Sequence, residues 1–274
     1  MSCVAAIQMA SGPNTGANLI EVERLISSAV EKGAELIVLP ENFAIMGLTE
    51  EDKVGLREQE GDGPIQTFLS QQAKDNGVWI VGGTLPLAST DDNKVRAACL
   101  LFNADGQQVA RYDKIHLFDV LLEESKESYI ESETIEAGER CVVVDTPFGR
   151  LGIAICYDLR FPELFRALLD QGVEIIAVPS AFTAITGRAH WETLVRARAI
   201  ENLSYVIAAA QGGYHINGRE TYGDSMIVDP WGTVLDRLPS GSGVVCAEID
   251  PQRLAQTRQN FPSIAHRKIF CKTT

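Results

Sequence analysis

The chain has 274 residues, of which 45% are hydrophobic and 22% charged, and these proportions exclude a disordered or fibrous protein. Its 37 acidic residues outnumber its 24 lysines and arginines, so the formal net charge of −13 argues against nucleic acid and anionic membranes as partners. No apolar run approaches the roughly 18 residues of a membrane-spanning helix, and the N-terminal segment lacks a basic region before an apolar stretch. We therefore expect a cytoplasmic protein.

Short apolar runs recur along the chain and predict strands; in order they are VAAIQM, ELIVLP, VWIVGG, AACLLF, CVVVD, LGIAIC, EIIAVP, YVIAAA and MIVD. Helices are predicted between several of them. Val22–Val30 has an apolar stripe ending before Gly33, and further helices are expected at Pro64–Asn76, from near Phe161, and at His190–Leu203. NADGQQ and DPWGT are typical of hairpin turns. This alternation predicts an α/β fold with mixed sheets.

No linker or internal repeat divides the chain, so residues 1–274 are expected to form a single domain. The segment Leu121–Gly138 is acidic and weakly periodic, which favours a loop over a surface or a site.

The cysteines and histidines give no support to a disulfide framework or a metal site. Six cysteines without a CxxC pair are too sparse for the former, and the four histidines lack ligand spacing. Glycine-rich nucleotide-binding motifs are also absent from the sequence. We expect neither a metal nor a cofactor.

Four polar side chains are placed where strands end. Glu41 follows ELIVLP, Cys156 closes LGIAIC, Ser180 follows EIIAVP, and Lys114 ends the second arm of the hairpin around NADGQQ. Ligands bind at the carboxyl ends of strands in open α/β sheets. Taken singly, each residue has an ordinary structural explanation, because a strand-terminal cysteine is more often core, and a Glu or Lys often caps a turn or faces solvent. Together they supply the parts of a nucleophilic site.

A cysteine nucleophile needs a base for its proton and donors for the oxyanion formed when it attacks a carbonyl. Glu41 and Lys114 are suitable groups, and the backbone N–H of Tyr157 is expected to point at the substrate. A helix beginning near Phe161 would favour the thiolate form of Cys156.

Three ordered motifs resemble those of the nitrilase superfamily of carbon–nitrogen hydrolases, and the resemblance runs almost end to end. LPENF is similar to the motif of the family's catalytic Glu, here Glu41; YDKIHLFD to that of the Lys, here Lys114; and GIAICYDLRFPEL to that of the Cys, here Cys156. The resemblance implies a four-layer α-β-β-α sandwich. It also implies hydrolysis through a thioester, with Glu41 acting in turn as base, acid and base.

The family's second Glu corresponds to Glu131 in ESETIEAG, with Glu127 and Glu133 as the alternatives. We expect the substrate to carry carboxylates, so cations should lie near the pocket. The candidate substrate-binding residues are Tyr157, Arg160, Thr186 and His190, whereas Arg188, Arg196 and Arg198 are open between a carboxylate-binding and a structural role.

Within the superfamily, Cys156-Tyr157-Asp158 is similar to the amidase branches rather than to true nitrilases. The segments PSAFTAITGRAHWETLVRARAIEN, AAAQGGYH and TYGDSMIVDPWG resemble most the branch that cleaves deaminated glutathione as a repair reaction. The ω-amidase branch, acting on 2-oxoglutaramate, is the alternative, and a carbamoylase, a redox-sensing thiol and a non-catalytic scaffold are weaker ones. Asp224 departs from the resemblance, because relatives commonly have His there.

The resemblance further implies a homodimer. The C-terminal segment from about Arg258 has little periodicity, and a tail that contacts a neighbouring subunit would explain this. The expected partners are therefore a small-molecule amide and a second copy of the chain.

Overall fold

The computed structural model describes residues 1–122 and 127–270. In this part of the chain the strands are β1 (Ser2–Gln8), β2 (Leu36–Val38), β3 (Trp79–Val81), β4 (Leu85–Ala88), β5 (Val95–Phe102), β6 (Gln108–Asp113), β7 (Asp119–Leu122), β8 (Glu127–Ile130), β9 (Val143–Thr146), β10 (Gly149–Ile153), β11 (Ile175–Ser180), β12 (Tyr205–Ala210), β13 (Gly212–Tyr214), β14 (Glu220–Tyr222), β15 (Ser225–Val228), β16 (Val234–Leu238) and β17 (Gly243–Ile249). The helices are α1 (Thr15–Glu31), α2 (Asp52–Gly55), α3 (Pro64–Asn76), α4 (Pro162–Asp170), α5 (Ala184–Asn202) and α6 (Pro251–Asn260), with 3-10 helices at Glu131–Glu133 and Cys156–Arg160.

Two mixed sheets form the centre of the fold. One has the order β17-β1-β2-β3-β5-β4, with β6 also paired to β5, and the other has the order β16-β15-β12-β11-β10-β9. The central strands β1, β2 and β3 are parallel, as are β10, β11 and β12, and antiparallel strands complete both sheets. The sheets pack face to face where β1 and β2 contact β11 and β12. The predicted apolar runs all contribute to these strands.

Helices cover both outer faces of this pair of sheets. The apolar stripe of α1, which includes Val22, Leu25 and Ile26, is buried together with α3 against the first sheet, and α4 and α5 pack on the second. Residues in the left-handed conformation follow several of these helices, among them Gly33 after α1, Gly77 after α3 and Leu203 after α5. The architecture is the expected four-layer α-β-β-α sandwich.

Helix α5 begins six residues before the predicted start at His190. Thr183 is its N-cap, and the Thr183 side chain accepts a hydrogen bond from the Thr186 N–H. Gly187 in the first turn weakens the helical pattern of the sequence. It is required there, because a Cβ at this position would lie 2.2 Å from the Cβ of Tyr222.

Two further elements were missed because polar residues obscure their patterns. The segment predicted as a loop contains the hairpin β7–β8, in which Asp119 pairs with Ile130. Helix α6 covers the start of the predicted tail. It has a single buried side chain, Leu254, and so lacks an apolar stripe that sequence periodicity detects.

The helices of the described residues do not have the dimensions of membrane spans. Between residues 1 and 122, and between 127 and 270, each helix is too short or too polar to cross a membrane.

Candidate active site

Strand ends from both sheets meet at one place in the molecule. Glu41 lies just after β2 and Lys114 directly after β6, both in the first sheet, whereas Cys156 begins a 3-10 helix after β10 in the second. All three side chains are buried. The convergence expected at the strand ends is therefore produced by the packing of one sheet on the other.

Lys114 is bonded to two carboxylates. Its Nζ lies 2.7 Å from Oε1 of Glu41, and 2.9 and 2.8 Å from Oε1 and Oε2 of Glu131. The Phe118 N–H donates a further hydrogen bond to Glu131, at 2.7 Å. These contacts hold one ammonium group between two acids inside the protein.

Cys156 stands at a strained turn. Its φ of 46° is in the left-handed region, which is unusual for a residue with a side chain and occurs where the surrounding structure fixes the backbone. The Ala181 N–H donates to Sγ at 3.5 Å, and the Glu41 carboxylate lies close enough to the thiol to raise its pKa. The turn presents the thiol to the acid and the lysine.

Asp158 fixes this turn. Its buried carboxylate accepts hydrogen bonds from the Ile155 N–H at 2.8 Å and from the Tyr112 hydroxyl at 2.7 Å, and it also contacts the His116 ring at 2.7 Å. The His116 ring in turn stacks on Phe161, with 3.7 Å between ring centres. Sequence reasoning missed this network, although its members lie inside the YDKIH and CYDLRF segments.

Glu41 is held through its backbone as well. Gln211 donates from Nε2 to the Glu41 carbonyl at 3.0 Å and to the Ser11 hydroxyl at 2.7 Å, and its side-chain oxygen accepts from the Ser11 N–H at 2.9 Å. The next residue, Asn42, has a φ of 57° and donates its N–H to Thr84. Gln211 is a second positioning residue that the sequence did not reveal.

The electrostatics of the cluster fix its resting charges. Burial and the Glu41 carboxylate raise the pKa of the Cys156 thiol well above its usual range, against the smaller opposing effect of Lys114. Burial would raise the pKa of Glu41 as well, but Lys114 lowers it, and the two carboxylates raise the pKa of Lys114 although burial opposes this. At neutral pH the cluster therefore holds a thiol, a carboxylate and an ammonium. The thiolate expected from the nearby helix does not form at rest.

The cluster opens into a cavity of about 350 Å³, within the range that holds small ligands. Tyr157, Arg160 and Thr186 lie on its wall together with Glu41, Lys114, Glu131 and Cys156. His190 is exposed and lies outside the wall, where its Nδ1 accepts a hydrogen bond from Arg160 at 3.2 Å.

The other arginines of α5 lie away from this wall. Arg198 is buried and donates hydrogen bonds to the Leu159 carbonyl and to Glu201. Of the two roles considered for Arg198, these contacts favour the structural one, because the side chain does not lie on the cavity wall. Arg196 donates to the Gly232 carbonyl at 2.9 Å. Arg188 is exposed.

The alternatives for the second acid differ in position. Glu133 lies on the cavity wall but is exposed. The acid that accepts hydrogen bonds from Lys114 is Glu131, not Glu133. Glu127 begins strand β8, and its side chain lies outside the described part of the structure.

Asp224 occupies a separate buried site. Its carboxylate accepts from Nε of Arg237 at 2.9 Å and from Nη2 at 2.6 Å, and its carbonyl accepts from the Trp191 indole at 2.7 Å. It does not lie on the cavity wall. Asp224, the residue that departs from the family resemblance, is therefore held by an ion pair with Arg237 and lies next to Trp191 of α5.

An α/β sandwich with this acid, lysine and thiol at its strand ends defines the class of the protein as a hydrolase of carbon–nitrogen bonds. The carbon-nitrogen hydrolase family matches residues 3–259, and the chain belongs to this family.

Named relatives are similar over nearly the whole chain. A deaminated glutathione amidase of Synechocystis is 46% identical over 96% of this chain and 97% of its own length, and one of Yersinia enterocolitica is 43% identical over 97% and 92%. The solved structure of a Saccharomyces cerevisiae member of branch 10 of the nitrilase superfamily is 31% identical, with a TM-score of 0.87 over 98% of this chain and 97% of that one.

Proposed function

We propose that this amidase cleaves the amide of deaminated glutathione at its 2-oxoglutarate-like end. The observation that carries the proposal is the placement of Glu41, Lys114 and Cys156 in one cavity, in a chain whose relatives at 43% and 46% identity are deaminated glutathione amidases. Arg160 and Thr186 on the same wall are suited to bind a carboxylate of the substrate.

In the proposed mechanism Glu41 accepts the proton of Cys156 while the sulfur attacks the amide carbon. A base is needed because Cys156 is a thiol at neutral pH, and Glu41 is suited to the task because its lowered pKa keeps it a carboxylate. Lys114 and the Tyr157 N–H stabilise the oxyanion. Glu131 positions Lys114 and adds to the charges that raise its pKa.

The tetrahedral intermediate collapses when Glu41 returns the proton to the departing amine, which leaves a thioester on Cys156. Glu41 then accepts a proton from water, and the resulting hydroxide attacks the thioester carbon. The second collapse breaks the C–S bond, releases the carboxylic acid and restores the thiol with the proton that Glu41 holds. The sum is one amide and one water converted to one acid and one amine.

A panel of four substrates tests the proposal: deaminated glutathione, 2-oxoglutaramate, a carbamoyl amino acid and an aliphatic nitrile. We expect kcat/KM to be highest for deaminated glutathione. A preference for 2-oxoglutaramate would identify an ω-amidase instead, and turnover of the carbamoyl compound alone would contradict both.

We also propose a cytoplasmic homodimer of a single domain, whose C-terminal segment from about Arg258 contacts the second subunit. Trp231 and Phe261 support this surface, since they are 59% and 50% exposed and their ring centres lie 5.4 Å apart.

A further inference from the structure

The hairpin of β13 and β14 brings an arginine to the cavity that the sequence motifs did not indicate. The hairpin is anchored at its turn, because His215 contacts the Ser11 carbonyl through Nδ1 and the Thr221 hydroxyl through Nε2, both at 2.8 Å. Its turn places Arg219 on the cavity wall. The side chain of Arg219 therefore extends from a fixed support.

Arg219 reaches the immediate surroundings of the nucleophile. Its Nη2 donates to the Ala181 carbonyl at 2.6 Å, and the N–H of the same residue, Ala181, contacts the sulfur of Cys156. The guanidinium carbon lies 5.1 Å from the ring centre of Tyr129, which also lines the cavity. These contacts hold the guanidinium flat against the wall.

The guanidinium keeps unused hydrogen-bonding capacity. Among the described residues, Nε of Arg219 is buried and has no hydrogen-bond partner. Leaving a buried donor without a partner typically costs about 1–3 kcal/mol, so native proteins seldom retain one without a reason. A ligand carboxylate offers that partner, because the arginine fork binds carboxylates through two parallel hydrogen bonds.

The two lysines of the cavity wall are already paired with acids of the protein. Lys53 pairs with Glu50 at 2.6 Å, and Lys114 is held by Glu41 and Glu131. Arg160 enters the cavity from the helix that carries Cys156, and Arg219 enters from the hairpin. Two arginines on different elements suit a substrate with carboxylates at two places.

Arg219 lies on the side of the site where Glu41 acts. Its hairpin begins directly after Gln211, which bonds the Glu41 carbonyl, and Asn217 in the turn donates to the Gly47 carbonyl, six residues after Glu41, at 2.8 Å. Glu41 protonates the departing amine in the proposed mechanism, so the amine part of the substrate leaves on this side. Arg160 and Thr186 remain for the acyl part.

We propose that Arg219 is a specificity-determining residue that binds a carboxylate on the amine side of the scissile amide. The inference rests on the proposed function and extends it: the enzyme selects amides charged on both sides of the bond over amides charged on the acyl side alone.

The test compares two substrates that differ in one charge: deaminated glutathione, which ends in glycine, and its C-terminal carboxamide, which ends in glycinamide. We expect Arg219→Gln to lower kcat/KM for the glycine compound roughly 10- to 100-fold, mainly through KM, as the loss of a charge-assisted contact does. For the glycinamide compound we expect a change below about threefold. Arg219→Lys should restore part of the preference. Arg24→Gln, in an exposed ion pair with Glu21, is the control for loss of one positive charge.

An equal fall for both compounds, or no fall for either, would overturn the role of Arg219 while the hydrolase activity of the wild type stands. Failure of the wild type to hydrolyse either compound would remove the proposed function, and this inference with it. Matching melting temperatures for wild type and Arg219→Lys establish that the hairpin is intact.

Discussion

Two ion clusters among the described residues are alike in composition and different in surroundings. One joins Lys114 to Glu41 and Glu131, and the other joins Arg237 to Asp224 and Glu192. In each, a cation is shared by two acids and at least one acid is almost fully buried. The first cluster opens into the cavity of about 350 Å³, and in the second Asp224 is enclosed by Arg237 and Trp191.

The presence or absence of a cavity beside the charged groups distinguishes a cluster that can catalyse a reaction from one that stabilises the fold. Burial strengthens the electrostatic interactions of Lys114, Glu41 and Asp224, but a reaction also requires space beside the charged groups. Glu41 and Lys114 have this space and a thiol beside it, whereas the Asp224 carboxylate and carbonyl are both occupied by protein donors. We therefore expect changes in the first cluster to reduce catalysis and changes in the second to reduce stability.

The largest effect is expected at the nucleophile. Cys156→Ala should lower kcat by about 10⁴- to 10⁶-fold, as removal of a triad nucleophile does in other hydrolases, with little change in melting temperature. Cys99→Ala is the matched control, since Cys99 is a fully buried core residue of β5, away from the cavity wall. It should cost about 0.5–3 kcal/mol of stability and leave kcat within about twofold. Comparable activity of the two variants would assign Cys156 to packing.

A smaller effect is expected from the second acid. Glu131→Gln removes one of the two carboxylates that raise the pKa of Lys114, so this pKa should fall and the alkaline limb of the pH profile should move to lower pH. We expect kcat/KM at neutral pH to fall by about 10- to 100-fold, as for a weakened oxyanion donor. The measurement is kcat/KM against pH.

Glu133→Gln and Glu127→Gln serve as the comparison for Glu131. If either shifts the alkaline limb and Glu131→Gln does not, the second acid is a different residue from the one that bonds Lys114 here.

Motifs and strand ends were accessible to sequence reasoning because they depend on local patterns. The apolar runs predicted the central strands, and the motifs around Glu41, Lys114 and Cys156 predicted the family, which the comparisons confirm. Helix α3 was predicted with its observed bounds because Pro64 and Gly77 mark its ends.

What sequence reasoning missed depends on contacts between distant segments. Gln211 orients Glu41 across 170 residues of chain, and Arg219 reaches the cavity from a hairpin that has no motif of its own. The state of Cys156 was also misjudged, because local sequence indicates the helix beside a thiol but not the carboxylate that a second sheet places against it.

The most direct test measures kcat/KM and the free energy of unfolding for two isosteric variants, Glu41→Gln and Asp224→Asn. Glu41→Gln should lose about 10²- to 10⁴-fold in kcat/KM as its base is removed, and should remain folded because Lys114 retains Glu131. Asp224→Asn should lose about 1–3 kcal/mol of stability, because an amide nitrogen, itself a donor, replaces one of the two oxygens that accept from Arg237, and it should keep kcat/KM within about threefold. The opposite pattern, or a loss of activity that follows stability in both variants, would contradict the assignment of catalysis to the cluster that faces the cavity.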